Sequence, residues 1–248
     1  MTTKTLTGRI SADRIRLMET PKPDADIIEG FRALGDPVGV VADAMDELGI
    51  AGGVIGTHVL KPTISGRCII GPALTVRNIP QRIDPIKGAQ AKVNKMAEFE
   101  AHNLASPGDV LVIQGVSNIS NMGGISAQTG KRQGEVGAIV WGGVRDVAHS
   151  REIDYPVWAS EFTAVTGKWR VETMEINGPV QIVDVRVEAG DLVLADDTSI
   201  CIVPRGMMRE VLAVCQKKSD AEALRCDAIE RGVPVHDLIN SRYGEKQA

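Results

Sequence analysis

The sequence predicts a single α/β domain, and three observations carry that expectation. Helix-patterned and strand-patterned segments alternate along all 248 residues, with no Pro/Ser-rich linker, low-complexity tract or composition break between the halves. Two segments share one layout, a Gly-Asp turn followed by a continuous apolar run: Ser106 to Ile113 and Ala189 to Ala195. Such runs are typical of strands buried on both faces. Lastly, a glycine-opened helix beginning at Gly123-Gly124-Ile125-Ser126 leads into a strand from Val136 to Trp141. A glycine turn at Gly142-Gly143 follows and ends on Arg145-Asp146.

Composition narrows the function classes. Aromatic content is only 3%, so the core must be built from Val, Ile, Leu, Ala and Met. A net charge of -4 argues against a nucleic-acid-binding surface, which normally shows a basic patch. Cys68, Cys201, Cys215 and Cys226 are widely spaced, with no C-x-x-C. They read as small buried hydrophobes in a reducing compartment rather than a disulfide frame or zinc site. The N-terminal residues lack an apolar signal-peptide core, and no stretch approaches bilayer-spanning length. The expectation is a cytoplasmic protein with no membrane association.

Taken in order, residues 1–22 are polar and punctuated by Pro21 and Pro23. They read as an N-terminal arm, packed on a neighbour or disordered, ahead of a domain covering 23–248. A short helix is expected over Ala25 to Leu34. A second begins at Asp36 as N-cap with Pro37 behind it, shows an apolar stripe at Val38, Val41, Met45 and Leu48, and stops at Gly49. Gly66 to Arg77 is rich in β-branched residues and reads as two strands bent at Gly71-Pro72, followed by a loop from Asn78 to Pro85.

A long helix is expected from about Ile86 to Leu104, with His102 near its end as a helix-end or surface histidine. Gln114 to Met122 reads as a polar, flexible loop. Past Asp146, the expected order is a short helix (Val147 to Glu152), a strand (Tyr155 to Ala159) and a loop (Thr163 to Trp169) with positive charge at Lys168 and Arg170. Pro179 to Val187 alternates like one strand with a wet face, and Ile200 to Val203 is a buried strand ended by Pro204. A helix from near Arg205 to Arg231 and a frayed polar tail from Asn240 complete the chain.

The chemistry concentrates at the glycine-opened helix. A helix start presents unpaired N–H groups and partial positive charge, which suit a carboxylate. The strand returns the chain so that Arg145 and Asp146 arrive beside that start. Arg145 offers a planar fork for a carboxylate or keto oxygen, and Asp146 is a hard oxygen ligand for a divalent metal. Read without further context, the pair is also compatible with a salt-bridged turn. No G-x-G-x-x-G follows a strand, so no nucleotide or methyl-donor cofactor is indicated, and there is neither a P-loop nor a G-x-S-x-G elbow. The four histidines (58, 102, 149 and 236) are scattered. His149, one helical turn after Arg145, reads as a solvent-facing helix residue.

From roughly Asp36 to Val211 the chain resembles the family of the regulator of ribonuclease activity A (RraA) and the class II 4-hydroxy-4-methyl-2-oxoglutarate aldolases. The matching words, in order, are Val41 to Met45, Gly71 to Arg77, Gly108 to Val112, Gly134 to Val140, Gly142 to Asp146, Pro156 to Ala159 and Gly190 to Asp196. The resemblance implies an α/β sandwich of the swivelling phosphohistidine-domain type, assembled as a homotrimer or hexamer. It also implies Mg2+ or Mn2+ on Asp146, a small 2-oxo acid whose keto oxygen meets Arg145, and a substrate carboxylate on the amides of Gly123, Gly124, Ile125 and Ser126.

The implied activity is carbon–carbon cleavage of the aldolase or decarboxylase type, with Arg145 and Asp146 as the catalytic pair. The alternative implied by the other branch is a non-catalytic protein that binds a ribonuclease. In the aldolase branch an Asp precedes Arg-Asp by a spacer of twenty residues, and here Gly124 occupies that first position. Asp196, Asp197 and Glu188 are candidates to replace the missing carboxylate.

Overall fold

The computed structural model describes residues 4–239. After a one-turn 3-10 helix at Ala12–Arg14, the elements are α1 (Ala25–Arg32), α2 (Pro37–Glu47), β1 (Val54–Gly56), β2 (Lys61–Pro62), β3 (Ile69–Pro80), α3 (Pro85–Gln90) and α4 (Glu98–Leu104). Next come β4 (Val110–Gln114), β5 (Ser120–Met122), α5 (Gly124–Gln133), β6 (Gly137–Val144), α6 (Val147–Glu152), β7 (Val157–Phe162) and β8 (Val171–Ile176). The chain finishes with β9 (Val180–Ile182), β10 (Val185–Val187), β11 (Leu192–Ala195), β12 (Ser199–Val203) and α7 (Met208–Glu230). The predicted single α/β domain is found. The polar tail from residue 240 lies outside the described residues.

One ten-stranded mixed sheet runs β1-β12-β11-β3-β4-β6-β7-β2, with β5 beside the end of β6 and β8 beside the end of β3. Its centre, β3-β4-β6-β7, is parallel. Every side chain from Val110 to Ile113 is fully buried, as the continuous apolar run requires. On one side α1, α2 and α7 pack Phe31, Val38, Val41, Met45, Val211 and Cys215 against Leu192, Leu194, Cys201 and Val203. A second cluster joins Ala101 and Leu104 of α4 to Leu111, Ile113, Ala138 and Val140. A third sets Val180, Ile182, Val185 and Val187 on Val112, Ile139 and Trp158. Among the described residues no helix is long and apolar enough to cross a membrane.

Several local expectations are corrected by long-range pairing. β3 is one twelve-residue strand that runs through Gly71-Pro72 without a break. It takes β11, β4 and β8 as successive partners along its length. The expected helix from Ile86 to Leu104 is two helices. Between them Lys92 turns with φ 55°, and Lys95 bridges to Glu172 while its carbonyl accepts from Thr173 N at 3.1 Å. Pro179 to Val187 is a hairpin turned at Val183 rather than one strand. Val171–Ile176, with no assignment from its pattern, is a strand because β3 offers it an open edge.

Gly142 and Gly143 are not a turn. β6 runs through them with a register shift, the extra twist expected of a bulge. The loop from Gln114 to Met122 is pinned, since Asn121 Oδ1 accepts from Val116 N at 2.9 Å and its Nδ2 donates to the Val116 and Ile119 carbonyls. Cys68 and Cys226 are exposed, while Cys201 and Cys215 are buried as expected. The N-terminal residues dock on this chain's own body: Thr7 N and Gly8 N donate to buried Glu100 at 2.8 and 3.1 Å, Arg14 pairs with Glu172, and Lys22 with Asp109.

Candidate functional site

The site forms where β5 and β6, parallel neighbours, end together. Open α/β sheets place ligands at such carboxyl ends. β5 delivers Met122, and Gly123 caps α5 in an extended conformation (φ -138°, ψ -173°). β6 delivers Arg145, whose N–H donates to the Met122 carbonyl at 3.1 Å, so the two chain ends are tied. Asp146 is left-handed (φ 57°, ψ 37°) and starts α6. A non-glycine residue in that region is costly and is held by its surroundings. Here that conformation accompanies a carboxylate turned back onto α5: Oδ2 accepts from Gly124 N at 3.0 Å and lies 3.4 Å from Arg145 Nε.

The glycines at the helix start let the Arg145, Asp146 and His149 side chains approach closely. A β-carbon on residue 123 would sit 3.0 Å from both Arg145 Nε and Asp146 Oδ2. One on residue 124 would sit 2.9 Å from His149 Cδ2 and 3.1 Å from Asp146 Cβ. Gly123, Gly124, Ile125, Ser126, Arg145 and Asp146 therefore come together as the sequence predicts. All six line one cavity of about 410 Å³.

The rest of the lining comes from segments that sequence reading did not connect to the site. Arg9 arrives on the docked N-terminal residues, Lys92 and Asn94 on the turn between α3 and α4, Glu98 and Phe99 on α4, and Lys168 and Trp169 on the loop after β7. Four cationic and two acidic side chains thus face one space. Glu98 stands out. Its Oε2 is buried without a hydrogen-bond partner, and burial pushes its carboxyl above the usual range, against the pull of its own backbone N–H, His102, Arg9 and Lys168. Asp196, Asp197 and Glu188 do not line this cavity within the chain. Asp196 accepts from the Thr198 and Ser199 N–H groups of its own turn, Asp197 accepts from Gly66 N at 2.7 Å, and Glu188 pairs with Arg186.

Behind the cavity wall lies a polar chain that corrects the reading of His102 as a helix-end or surface residue. His102 is fully buried, with Nε2 2.7 Å from Ser126 Oγ and Nδ1 2.8 Å from Glu135 Oε1. Tyr155 OH donates to Glu135 Oε2 at 2.7 Å, and burial, with the Glu135 charge behind it, pushes the phenol well up. The order Ser-His-Glu-Tyr fixes the first turn of α5 against α4. Its partners lie 24 and 33 residues from His102, so no local spacing announces it.

His149 sits over Gly124, with Nε2 3.3 Å from Gln128 Oε1 and Nδ1 3.7 Å from Glu152. Among the described residues no group of three or more His, Cys, Asp or Glu side chains gathers to hold a metal. The donor set still suits a hard cation that keeps waters and takes substrate oxygens. Such ions are commonly held by one or two carboxylates, and Asp146 is a half-exposed carboxylate in the cavity.

The family model for RraA-like proteins (Aldolase/RraA) matches residues 39–202. Protein DlpA of Legionella pneumophila is 31% identical over 180 residues, 69% of this chain but only 27% of DlpA, so the chain spans about a quarter of that relative. A protein of Halalkalibacterium halodurans, provisionally named 4-hydroxy-4-methyl-2-oxoglutarate aldolase, is 27% identical over 90% of this chain and 96% of its own length. The crystal structure of Streptomyces coelicolor RraAS2, described as an unusual member of the RNase ES inhibitor RraA family, superposes with a TM-score of 0.66. It is 24% identical and covers 82% of this chain and 97% of its own.

Proposed function

We propose a function from one premise: the chain belongs to the RraA-like family. Our reading is a divalent-metal-dependent carbon–carbon lyase, of class II aldolase or decarboxylase type, acting on a small 2-oxo acid. One observation carries it. Asp146 is anchored to the first amide of α5 beside Arg145, in a cavity lined by Arg9, Lys92 and Lys168 as well. That lining suits a substrate with more than one negative charge. Retention of the Arg145-Asp146 pair favours the enzyme over a ribonuclease-binding regulator.

Asp146 would hold Mg2+ or Mn2+, which when bound supplies Lewis-acid polarisation of the 2-oxo group. Gly124 N–H is already engaged by Asp146, so the substrate carboxylate is left to the Ile125 and Ser126 amides. Arg145 donates to the keto oxygen, where negative charge grows as the carbon–carbon bond breaks. The hydroxyl of Ser126 is held by His102, which keeps the first turn of α5 in place under the substrate. We extend the reading to a homotrimer or hexamer, on the strength of the family.

The test is deuterium exchange into the methyl group of pyruvate, followed by proton NMR with Mg2+ present. Exchange is expected in wild type and is expected to vanish with EDTA and in Asp146→Ala. A rate indifferent to both treatments would overturn the reading.

A further inference from the structure

We propose that Glu98 is the proton-transfer residue of this site, the group that exchanges a proton with the carbon beside the 2-oxo group. The inference rests on the lyase reading above and adds a residue to it.

Three observations converge. Glu98 lines the cavity that holds Arg145 and Asp146, and Glu98 and Asp146 are its only carboxylates among the described residues. Its Oε2 is buried with no hydrogen-bond partner, an arrangement that costs free energy and that folded proteins rarely keep without a use. Position 124 carries no side chain, and the space above it is taken by His149. A carboxylate for proton transfer must therefore reach the cavity from another element, and α4 supplies one at its first residue.

The other candidates are engaged elsewhere. His149 does not line the cavity and has Gln128 and Glu152 as neighbours. Ser126 Oγ is bound to His102, and His102 is closed off between Ser126 and Glu135. Glu98 has Arg9 and Lys168 near enough to act on its charge without a hydrogen bond to either being formed. Burial holds the carboxyl above its ordinary range, nearer the working pH, where one group serves well as both acid and base.

The step balances without a further reactant. Cleavage leaves the pyruvate fragment as an enolate. The carbon–carbon π pair takes the proton of the Glu98 carboxylic acid, forming the methyl C–H bond. The enolate oxygen pair re-forms the keto group, and Glu98 is left as carboxylate. In pyruvate exchange the same step runs backwards, with Glu98 carboxylate removing the methyl proton.

The experiment compares wild type, Glu98→Gln, Glu98→Asp and Asp146→Ala in two assays with Mg2+: oxalate binding by calorimetry and pyruvate methyl exchange across pH. Glu98→Gln is expected to bind oxalate within about threefold of wild type while exchange falls about 10²-fold or more. Glu98→Asp should recover part of the rate. The wild-type rate should fall on acidification through one ionisation above the ordinary Glu range, a limb absent from the Glu98→Gln residue of activity. Glu98→Gln at the wild-type rate with the limb intact, beside an inactive Asp146→Ala, would remove Glu98 and leave the lyase reading standing. Oxalate binding lost in both Glu98 variants, together with a lowered Tm, would assign Glu98 a structural role instead. A wild type that neither binds oxalate nor exchanges would remove both claims.

Discussion

His149 occupies the space over Gly124: a β-carbon at 124 would lie 2.9 Å from the ring carbon Cδ2 and 3.2 Å from His149 Cβ. His149, in the first turn of α6, thus fills the place where the aldolase pattern puts an aspartate. Gly124→Asp alone is therefore expected to perturb α6 and to lower the Tm by several degrees, as overpacking commonly costs about 1–3 kcal/mol. Gly124→Asp with His149→Ala should recover most of that loss. Only the double variant is expected to gain cleavage of 4-hydroxy-4-methyl-2-oxoglutarate or oxaloacetate with Mg2+. A gain of activity in the single variant at wild-type stability would contradict the steric account.

Arg145→Lys is not a conservative change here. The Nε of Arg145 faces Asp146 Oδ2 at 3.4 Å, leaving the terminal nitrogens of the fork for the substrate. A lysine offers a point charge with no such geometry. Oxalate affinity measured by calorimetry should fall by about 1–3 kcal/mol. Unchanged affinity would count against a two-point contact.

The buried Ser126-His102-Glu135-Tyr155 chain makes a stability claim independent of function. Tyr155→Phe removes the donor to Glu135 Oε2 and leaves a buried carboxylate oxygen short of a partner. A loss of about 1–3 kcal/mol is expected in urea unfolding, with the m-value unchanged. Ser126→Ala should cost a similar amount through His102 Nε2. Near-zero losses for both would mean that water or a rearranged His102 satisfies the site.

Glu98 should betray itself in the pH dependence of stability. Its folded carboxyl is raised by burial above the unfolded value, so its contribution is fully present below the unfolded pKa and is lost as pH rises through the folded one. Glu98→Gln abolishes that loss. Its Tm is expected to exceed wild type by about 2–4 °C at pH 8, the effect of relieving about 1 kcal/mol, with the difference shrinking towards pH 4.5. A constant offset across that range would show that the carboxyl does not titrate abnormally.

Assembly is checked by light scattering. Ile125 (72% exposed), Phe162 (50%) and Val165 (41%) are apolar side chains left in solvent by the single chain. Ile125 lines the cavity itself. Exposed apolar side chains of this kind are what a contact with a second copy would cover. A trimer or hexamer is expected at micromolar concentration, and a monomer there would exclude any site shared between subunits.

What the sequence determined by itself is what local spacing encodes. The apolar runs at Val110 to Ile113 and Leu192 to Ala195 specify strands buried on both faces, because no polar residue interrupts them. The Gly123-Gly124 opening and the Arg145-Asp146 ending meet at one cavity, because a helix and its returning strand bring them together within a single supersecondary unit. The tertiary structure alone decided the rest. The break at Lys92, the burial of His102, the docking of Thr7 on Glu100 and the arrival of Arg9, Glu98 and Lys168 in one cavity each depend on partners dozens of residues away. A charged residue at a helix start looks the same in sequence whether open solvent or a cavity faces it. For Glu98, the fold placed the carboxylate on the cavity wall with one oxygen buried and left without a hydrogen-bond partner.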